Sequence, residues 1–148
     1  METIRRAEKE DLARIAEIYV FNYRMNFWPV FQNDAYYFDQ LQVPSVMETM
    51  AQESGTHYVY DDGTVKGFVT VNGTEIRHLF VEPVLQGRGI GAALLEFAMK
   101  QCRADHLWAL EKNVRAIRFY ERHGFAWDGT RKKEEGTDEY LLHLVCRK

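Results

Sequence analysis

Residues 75–100 read EIRHLFVEPVLQGRGIGAALLEFAMK and contain three successive patterns. The apolar run at 76–81 ends shortly before Pro83 and is typical of a strand. After the glycines, apolar side chains recur with the spacing of one buried helical stripe, at Ile90, Leu94, Leu95, Ala98 and Met99. The sequence therefore predicts a glycine-rich turn between a strand and a helix.

This glycine-rich turn has the composition of an anion site. Gly87, Gly89 and Gly91 leave the first amides of the following helix uncovered, and Arg88 adds a cation beside them. Those amides have no partner inside the helix and carry the positive end of its dipole. The arrangement suits a phosphate or a pyrophosphate. Glycines at such junctions also serve as plain turns or close-packing points, and the turn alone leaves that alternative open.

A family signature fits the turn. The pattern is Gln or Arg, two residues, Gly, one residue, then Gly or Ala, and it is matched by Gln86, Gly89 and Gly91. In these residues the sequence resembles the GNAT superfamily of acyl-CoA-dependent N-acetyltransferases. The Val-x-Pro formed by Val81 and Pro83 is also commonplace in that family.

A second signature of the same family follows further along the chain. It resembles the pattern Asn-x-x-Ala-x-x-Phe-Tyr with a later Gly-Phe. Its residues are Asn113, Ala116, Phe119, Tyr120, Gly124 and Phe125. Because the two signatures are separate and occur in the family's order, together they indicate a GNAT fold.

Composition and charge narrow the class of function. The chain has 148 residues, which fits one domain spanning 1–148. A formal net charge of -3 argues against a dedicated nucleic-acid binder, since such proteins rely on a basic surface. No apolar run reaches the roughly 20 residues that a membrane-spanning helix needs, so no membrane association is expected. Cys102 and Cys146 are isolated thiols, and we expect a cytoplasmic enzyme without a disulfide framework.

The rest of the chain predicts an α/β fold with a mixed sheet and helices on both faces. Strands are predicted at 3–7, 57–60, 65–71, 75–81, 107–110, 125–127 and 140–145. Helices are predicted at about 9–22, 45–53 and 113–123, besides the one after the glycines. Ser45 and Glu48 have capping-box spacing at the start of the second of these helices. Residues 130–139 are interpreted as a charged connection.

The resemblance implies a geometry for the cofactor. A seven-stranded, mostly antiparallel sheet would splay between the strand at 75–81 and the strand at 107–110, and acetyl-CoA would enter that opening as co-substrate. Its pantetheine arm would pair with the strand backbone, and its pyrophosphate would lie on the glycine turn. The implied cofactor-binding residues are Leu79, Phe80, Val81, Gln86, Gly87, Arg88, Gly89, Ile90, Gly91, Asn113 and Tyr120.

Acetyl transfer to an amine needs an acid for the leaving thiolate and a base for the amine proton. Tyr120 matches the family tyrosine that donates to the leaving sulfur, and Glu75 matches the catalytic glutamate of the histone acetyltransferase branch. Strand alternation places Glu75 on the face of Leu79 and Val81, and it points His78, a second candidate base, to the opposite face. A packed ring at Tyr120 and a solvated charge at Glu75 are the structural alternatives.

The acceptor is predicted only as a primary amine. Residues 25–37 are dense in aromatic rings, including Trp28, Phe31 and Tyr36. These rings form either a loop over the edge of the core or a wall of the acceptor pocket. In the GNAT family this region commonly lines the pocket and varies most.

Two other functions remain open at this point. A non-catalytic acyl-CoA sensor would keep the same fold without turnover. A dinucleotide-binding oxidoreductase is suggested by Gly87-x-Gly89-x-x-Ala92 and by Glu111 further on, although residues 82–86 separate the strand from the first glycine. The histidines show no ligand spacing, so no metal is expected. A homodimer is common in the family, and no sequence feature demands one.

Overall fold

Seven strands form one sheet within residues 3–146, which are the residues that the computed structural model describes. They are β1 (Ile4–Arg6), β2 (Thr56–Asp61), β3 (Val65–Asn72), β4 (Glu75–Val81), β5 (His106–Leu110), β6 (Phe125–Lys133) and β7 (Tyr140–Cys146). Their order is β1-β2-β3-β4-β5-β7-β6, and only the β4·β5 pair is parallel among these strands. The predicted mixed, mostly antiparallel sheet is confirmed.

The helices lie on both faces of the sheet. They are α1 (Leu12–Asn26), α2 (Trp28–Phe31), α3 (Val43–Gln52), α4 (Ile90–Gln101) and α5 (Val114–Arg122), with 3-10 turns at Lys9–Asp11 and Pro83–Leu85 and a π-helical turn at Ala35–Gln40. The helices α1 and α3 pack on one face, and α4 and α5 pack on the other. Among residues 3–146, none of the helices has both the length and the apolarity to cross a bilayer.

The sheet separates two apolar cores. Alternation along β3 sends Phe68 toward α1 and Val69 toward α4, so a single strand serves both cores. Leu94 and Leu95 from the predicted stripe of α4 are fully buried. Burial of a leucine side chain contributes about 1.5–3 kcal/mol. The apolar spacing after the glycines therefore fixes how α4 sits on the sheet.

A β-bulge interrupts the alternation of β4. Thr70 of β3 pairs with His78, whereas the next residue, Val71, pairs with Ile76, so Arg77 is the extra residue on β4. Beyond the bulge, His78 stacks near Phe80 on the α1 face. Because Ile76 packs in the α4 core, alternation puts Glu75 on the α1 face with His78. The prediction that Glu75 shares a face with Leu79 and Val81 is therefore wrong.

The start of α3 also differs from the prediction. Gln42 is the N-cap, and Ser45 occupies the third helical position of a capping box, instead of being the cap itself. Pro44 lies in the first helical turn, where a backbone N–H would have no acceptor within the helix. The missing N–H of the proline therefore costs no hydrogen bond. The helix can therefore begin ahead of the proline.

The strand β6 is longer than predicted, because it extends through Lys133 in place of ending near 127. Trp127 pairs with Leu144 and Arg131 pairs with Leu142, so residues 128–130 form a bulge after which pairing resumes. The charged residues interpreted as a connection belong in part to this edge strand. Charged side chains are common on edge strands because they oppose pairing with another chain.

Candidate active site

The two central strands separate soon after they begin to pair. Between β4 and β5 the paired residues are Glu75 with His106 and Ile76 with Leu107. Beyond this point the strands border a cleft of about 750 Å³, lined by both strands and by α5. The splay implied by the resemblance is therefore present, and it leaves backbone groups of both strands without a partner strand.

The glycine turn follows β4 and leads into α4. Gly87 has φ 82° and Gly89 has φ 85°, in the left-handed region that favours glycine. Both are exposed, and a Cβ added to either would meet no other atom within 4 Å. Ala93 donates to the carbonyl of Gly89 at 3.0 Å, so the three preceding helical amides lack a partner within α4. Uncovered amides and the exposed Arg88 make this corner suitable for an anion.

A buried amide pair holds the glycine turn against α1. The Gln86 Nε2 donates to Asn22 Oδ1 at 3.1 Å and to the carbonyl of Val81 at 3.3 Å. Asn22 is 1% exposed, and its Nδ2 donates to the carbonyls of Ile18 and Val81. The Gln86 side chain thus holds the turn against α1, while the Gln86 backbone lies at the start of the glycine turn. Asn22 was not predicted from the sequence, although an amide on the apolar stripe of α1 was a visible signal.

Tyr120 lies in the wall of the cleft that α5 supplies. Its ring is 8% exposed and packs against Phe119 and Phe125. Burial raises the pKa of Tyr120 above its usual value, so the phenol is protonated at neutral pH. Within residues 3–146 its hydroxyl has no hydrogen-bond partner. This leaves the O–H free to donate to a group in the cleft.

Asn113 caps α5 and also lines the cleft. Its Oδ1 accepts from the amide of Ala116 at 3.3 Å, which satisfies one of the first amides of the helix. Its Nδ2 is left with no partner among residues 3–146. The Asn113 side chain, which the resemblance assigns to the pantetheine arm, is therefore held in place by its oxygen.

Aromatic rings line the end of the cleft nearest α1. These rings are Tyr19, Tyr23, Phe27, Phe31, Tyr36 and Tyr37. Tyr19 and Tyr23 stack with their centroids 4.1 Å apart, and burial raises the pKa of Tyr19 to about 12. Phe31 and Tyr36 thus occupy the predicted wall, which consists of α2 and the π-helical turn and not of a loop.

Trp28 does not belong to this wall. Its Nε1 donates to Asp34 Oδ1 at 2.7 Å, and its ring packs near Phe38. Phe31, one helical turn further along α2, lines the cleft, whereas Trp28 is not among the residues that line it. The assignment of Trp28 to an acceptor pocket therefore stays a prediction.

Charged side chains border the aromatic end. Glu75, Glu134 and Glu135 all line the cleft. Burial, with smaller contributions from Tyr36 and Glu134, raises the pKa of Tyr37 to about 12. Lys132 also lines the cleft, but its Nζ lies over the Trp108 ring, 4.2 Å from the centroid. The aromatic end of the cleft therefore also carries predominantly acidic side chains.

A second group of charges surrounds His78 at the bulge. Its Nε2 lies 2.9 Å from Glu53 Oε1, while Arg77 lies 3.7 Å from Glu53 and 3.9 Å from Glu75. Both His78 and Glu75 line the cleft. Glu53 was not predicted from the sequence, because it follows the end of α3 and approaches β4 only in the folded chain.

The model of the acetyltransferase (GNAT) domain family matches residues 53–126, a span that contains both the splayed strand and Tyr120. The chain belongs to the GNAT acetyltransferase family. An uncharacterized N-acetyltransferase from Archaeoglobus fulgidus is 31% identical over 135 residues, covering 79% of this chain and 88% of the relative. The peptidyl-lysine N-acetyltransferase YiaC from Escherichia coli is 28% identical over 130 residues, covering 82% of each chain.

Solved GNAT structures share the whole fold. The apo-form of YjaB from Escherichia coli aligns with a TM-score of 0.77 at 24% identity, covering 96% of this chain and 95% of that one. The PaiA N-acetyltransferase from Thermoplasma acidophilum, in complex with coenzyme A, aligns with a TM-score of 0.64 at 18% identity, covering 95% and 96%. The strand before the glycine turn, β4, pairs antiparallel with β3, whereas a dinucleotide-binding fold has parallel strands on both sides of that position. The family match and the N-acetyltransferase relatives make this GNAT chain an acyltransferase.

Proposed function

We propose that this GNAT protein transfers the acetyl group of acetyl-CoA directly to a primary amine. The observation that carries the proposal is the opening between β4 and β5, which has an unpartnered Tyr120 hydroxyl in its wall and the uncovered amides of α4 beyond its end. The coenzyme A complex of PaiA, which shares the fold, supports the same choice of co-substrate.

Coenzyme A fits the residues of the opening by its chemistry. Its pyrophosphate suits the amides at Gly87 to Gly91 and the cation of Arg88. Its pantetheine amides suit the free edge of β4 at Leu79, Phe80 and Val81, with Asn113 as a further partner. The carbonyl of Val81 already accepts from Asn22, so Val81 has only its amide free for such pairing.

The residues bordering the cleft fit the chemistry of the transfer. The amine nitrogen attacks the thioester carbonyl, the C–S bond breaks, and the departing sulfur takes the proton of Tyr120. Backbone amides of β4 at the splay would stabilise the charge on the carbonyl oxygen. Glu75 lines the same cleft and is one candidate base for the amine proton.

We propose the aromatic end of the cleft as the acceptor end, and its residues favour an amine that is a cation in solution. Its rings form a surface for an alkyl chain or a cation, and Glu75, Glu134 and Glu135 supply negative charge. The lysine side chain has both features, and YiaC is named for activity on peptidyl-lysine. We therefore propose lysine side chains as the first acceptor class to examine, ahead of uncharged amines.

The test measures thiol release from acetyl-CoA with a panel of lysine peptides, free lysine and small primary amines. We expect release with at least one cationic amine, and we expect acetyl-CoA, but not NAD, to raise the melting temperature. Stabilisation by acetyl-CoA without release across the panel would favour a sensor. Stabilisation by neither nucleotide would contradict the proposed co-substrate.

A further inference from the structure

We propose that His78 accepts the proton of the acceptor amine and that Glu53 positions its imidazole. This inference rests on the acetyl transfer proposed above and names the base that serves it. His78 touches the cleft, whereas Glu53 acts through His78 and is a positioning residue.

The contact between the two side chains is close and sheltered. His78 Nε2 lies 2.9 Å from Glu53 Oε1 and 3.1 Å from Oε2. The side chains of His78 and Glu53 are 14% and 12% exposed. A carboxylate held this close to one ring nitrogen fixes the orientation of the ring and leaves the other nitrogen for chemistry.

The charge on Glu53 determines which nitrogen carries the hydrogen. Burial acts to raise the pKa of Glu53, but the hydrogen bond from His78 and the charges of His78 and Arg77 outweigh it and lower that pKa. Glu53 is therefore a carboxylate, which only accepts hydrogen bonds. In the neutral ring, Nε2 carries the hydrogen and Nδ1 keeps its lone pair. Within residues 3–146, Nδ1 has no hydrogen-bond partner.

The bulge gives His78 a better location than Glu75 for receiving a proton. Glu75 lies in the closed part of the sheet, where it pairs with Asn72 on one side and His106 on the other. His78 lies beyond Ile76, the last residue of β4 that pairs with β5, so it stands where β4 and β5 have already separated. The carboxylate of Glu75 also faces Arg77, at 3.9 Å.

His78 and Tyr120 belong to opposite faces of the sheet. His78 contacts Tyr19 of α1, and Tyr120 comes from α5, which packs in the other core. This arrangement places a base on the acceptor side of the thioester and an acid on the α5 side. A cationic amine first releases one proton to solvent. The neutral nitrogen then attacks the thioester carbonyl, its N–H proton goes to Nδ1 as the C–N bond forms and the C–S bond breaks, and the thiolate takes the Tyr120 proton. Solvent then returns a proton from the imidazolium to the phenolate.

Titratable groups from each neighbouring element face this pair. Arg77 lies 3.7 Å from Glu53, and Tyr19 of α1 contacts the His78 ring at a centroid distance of 5.4 Å. His57 of β2 also acts on Glu53, by lowering its pKa. These groups are paired or packed, whereas Nδ1 of His78 has no hydrogen-bond partner within residues 3–146 and can take a proton.

The test compares steady-state thiol release by the wild type and by His78→Gln, His78→Ala and Glu53→Gln. We expect kcat to fall by about 10²-fold or more in both His78 variants and by about 10-fold in Glu53→Gln. The KM for acetyl-CoA should stay constant in all three variants. The acid limb of the pH profile should disappear in the two His78 variants. Added imidazole should restore part of the His78→Ala rate. His106→Ala serves as the control, because His106 has a similar carboxylate contact, 2.7 Å to Asp105, outside the cleft.

The outcomes separate this inference from the proposed function. Acetyl-CoA stabilisation of each variant shows that the cofactor site is folded. If His78→Gln retains the wild-type rate and pH profile, or if Glu75→Gln alone removes the acid limb, the His78 assignment is overturned while acetyl transfer stands. If the wild type releases no thiol with any amine, the proposed function fails and this inference fails with it.

Discussion

At the scale of single residues, the Tyr120 hydroxyl is the clearest chemical group in the cleft. Its ring is buried, whereas the hydroxyl opens to the cleft and lacks a hydrogen-bond partner within residues 3–146, so the native fold gains little from the hydroxyl. We expect Tyr120→Phe to lower kcat by about 10²-fold or more while the free energy of unfolding and the KM for acetyl-CoA change little. Thiol release and chemical denaturation measure the two effects. A variant with the full rate would remove Tyr120 from the acid role.

Individual residues also limit what the sequence could predict. The glycine turn and Tyr120 were predictable because their spacing along the chain carries the information. The orientation of Glu75 was not predictable. The extra residue at Arg77 reverses the side-chain alternation of β4, and no feature of the seven-residue strand sequence indicates this bulge. Glu53 was not predictable for a different reason. Its contact with His78 joins residues 25 positions apart through tertiary folding.

At the scale of elements, the packing of α4 on β3 depends on a small residue. A Cβ at Gly67 would lie 3.0 Å from Leu94 Cδ1 and 3.0 Å from the carbonyl oxygen of Phe80. We expect Gly67→Ala to lower the free energy of unfolding by about 1–3 kcal/mol, because Leu94 and the β4 backbone must move. Urea denaturation measures the change.

The matched control for that variant is Gly91→Ala, in the first turn of α4. A Cβ there would lie 3.6 Å from Phe119 and 3.7 Å from Val81, which is ordinary contact distance. Alanine also has the higher helix propensity, by about 1 kcal/mol at most. Stability should therefore be unchanged or higher in Gly91→Ala. Equal losses in the two variants would show that α4 does not pack against β3 at Gly67 as described.

At the scale of the whole molecule, buried phenols make stability depend on alkaline pH. Burial raises the pKa of Tyr19 to about 12, and it raises the pKa values of Tyr23 and Tyr120 further above their ordinary value. A raised folded pKa gives stability that is complete below the unfolded value, roughly pH 10, and is lost as pH rises through the folded pKa. We expect the denaturation midpoint to hold up to about pH 10 and to fall above it, together with the appearance of tyrosinate absorbance. Ionisation of Tyr19, Tyr23 or Tyr120 well before any loss of stability, followed ring by ring with NMR, would contradict the burial of these rings.

The cleft itself gives a second prediction at this scale. A ligand that bridges β4 and β5 stabilises only the folded state, by about 2.7 kcal/mol at 100 times its Kd. For a chain of this size, that corresponds to a rise in melting temperature of roughly 5–10 °C. Coenzyme A should produce this rise and slow amide hydrogen exchange at 77–81. Stabilisation without protection of those amides would place the ligand elsewhere.

Among residues 3–146, two residue pairs connect the four-stranded half of the sheet to the three-stranded half. The backbone pairing at this joint is short, so the two halves are held together mainly by side chains of the apolar core that spans them. A ligand bound between β4 and β5 would add contacts to both halves of the sheet. We therefore expect the separation between β4 and β5 to vary more in the empty enzyme than in the enzyme with coenzyme A bound.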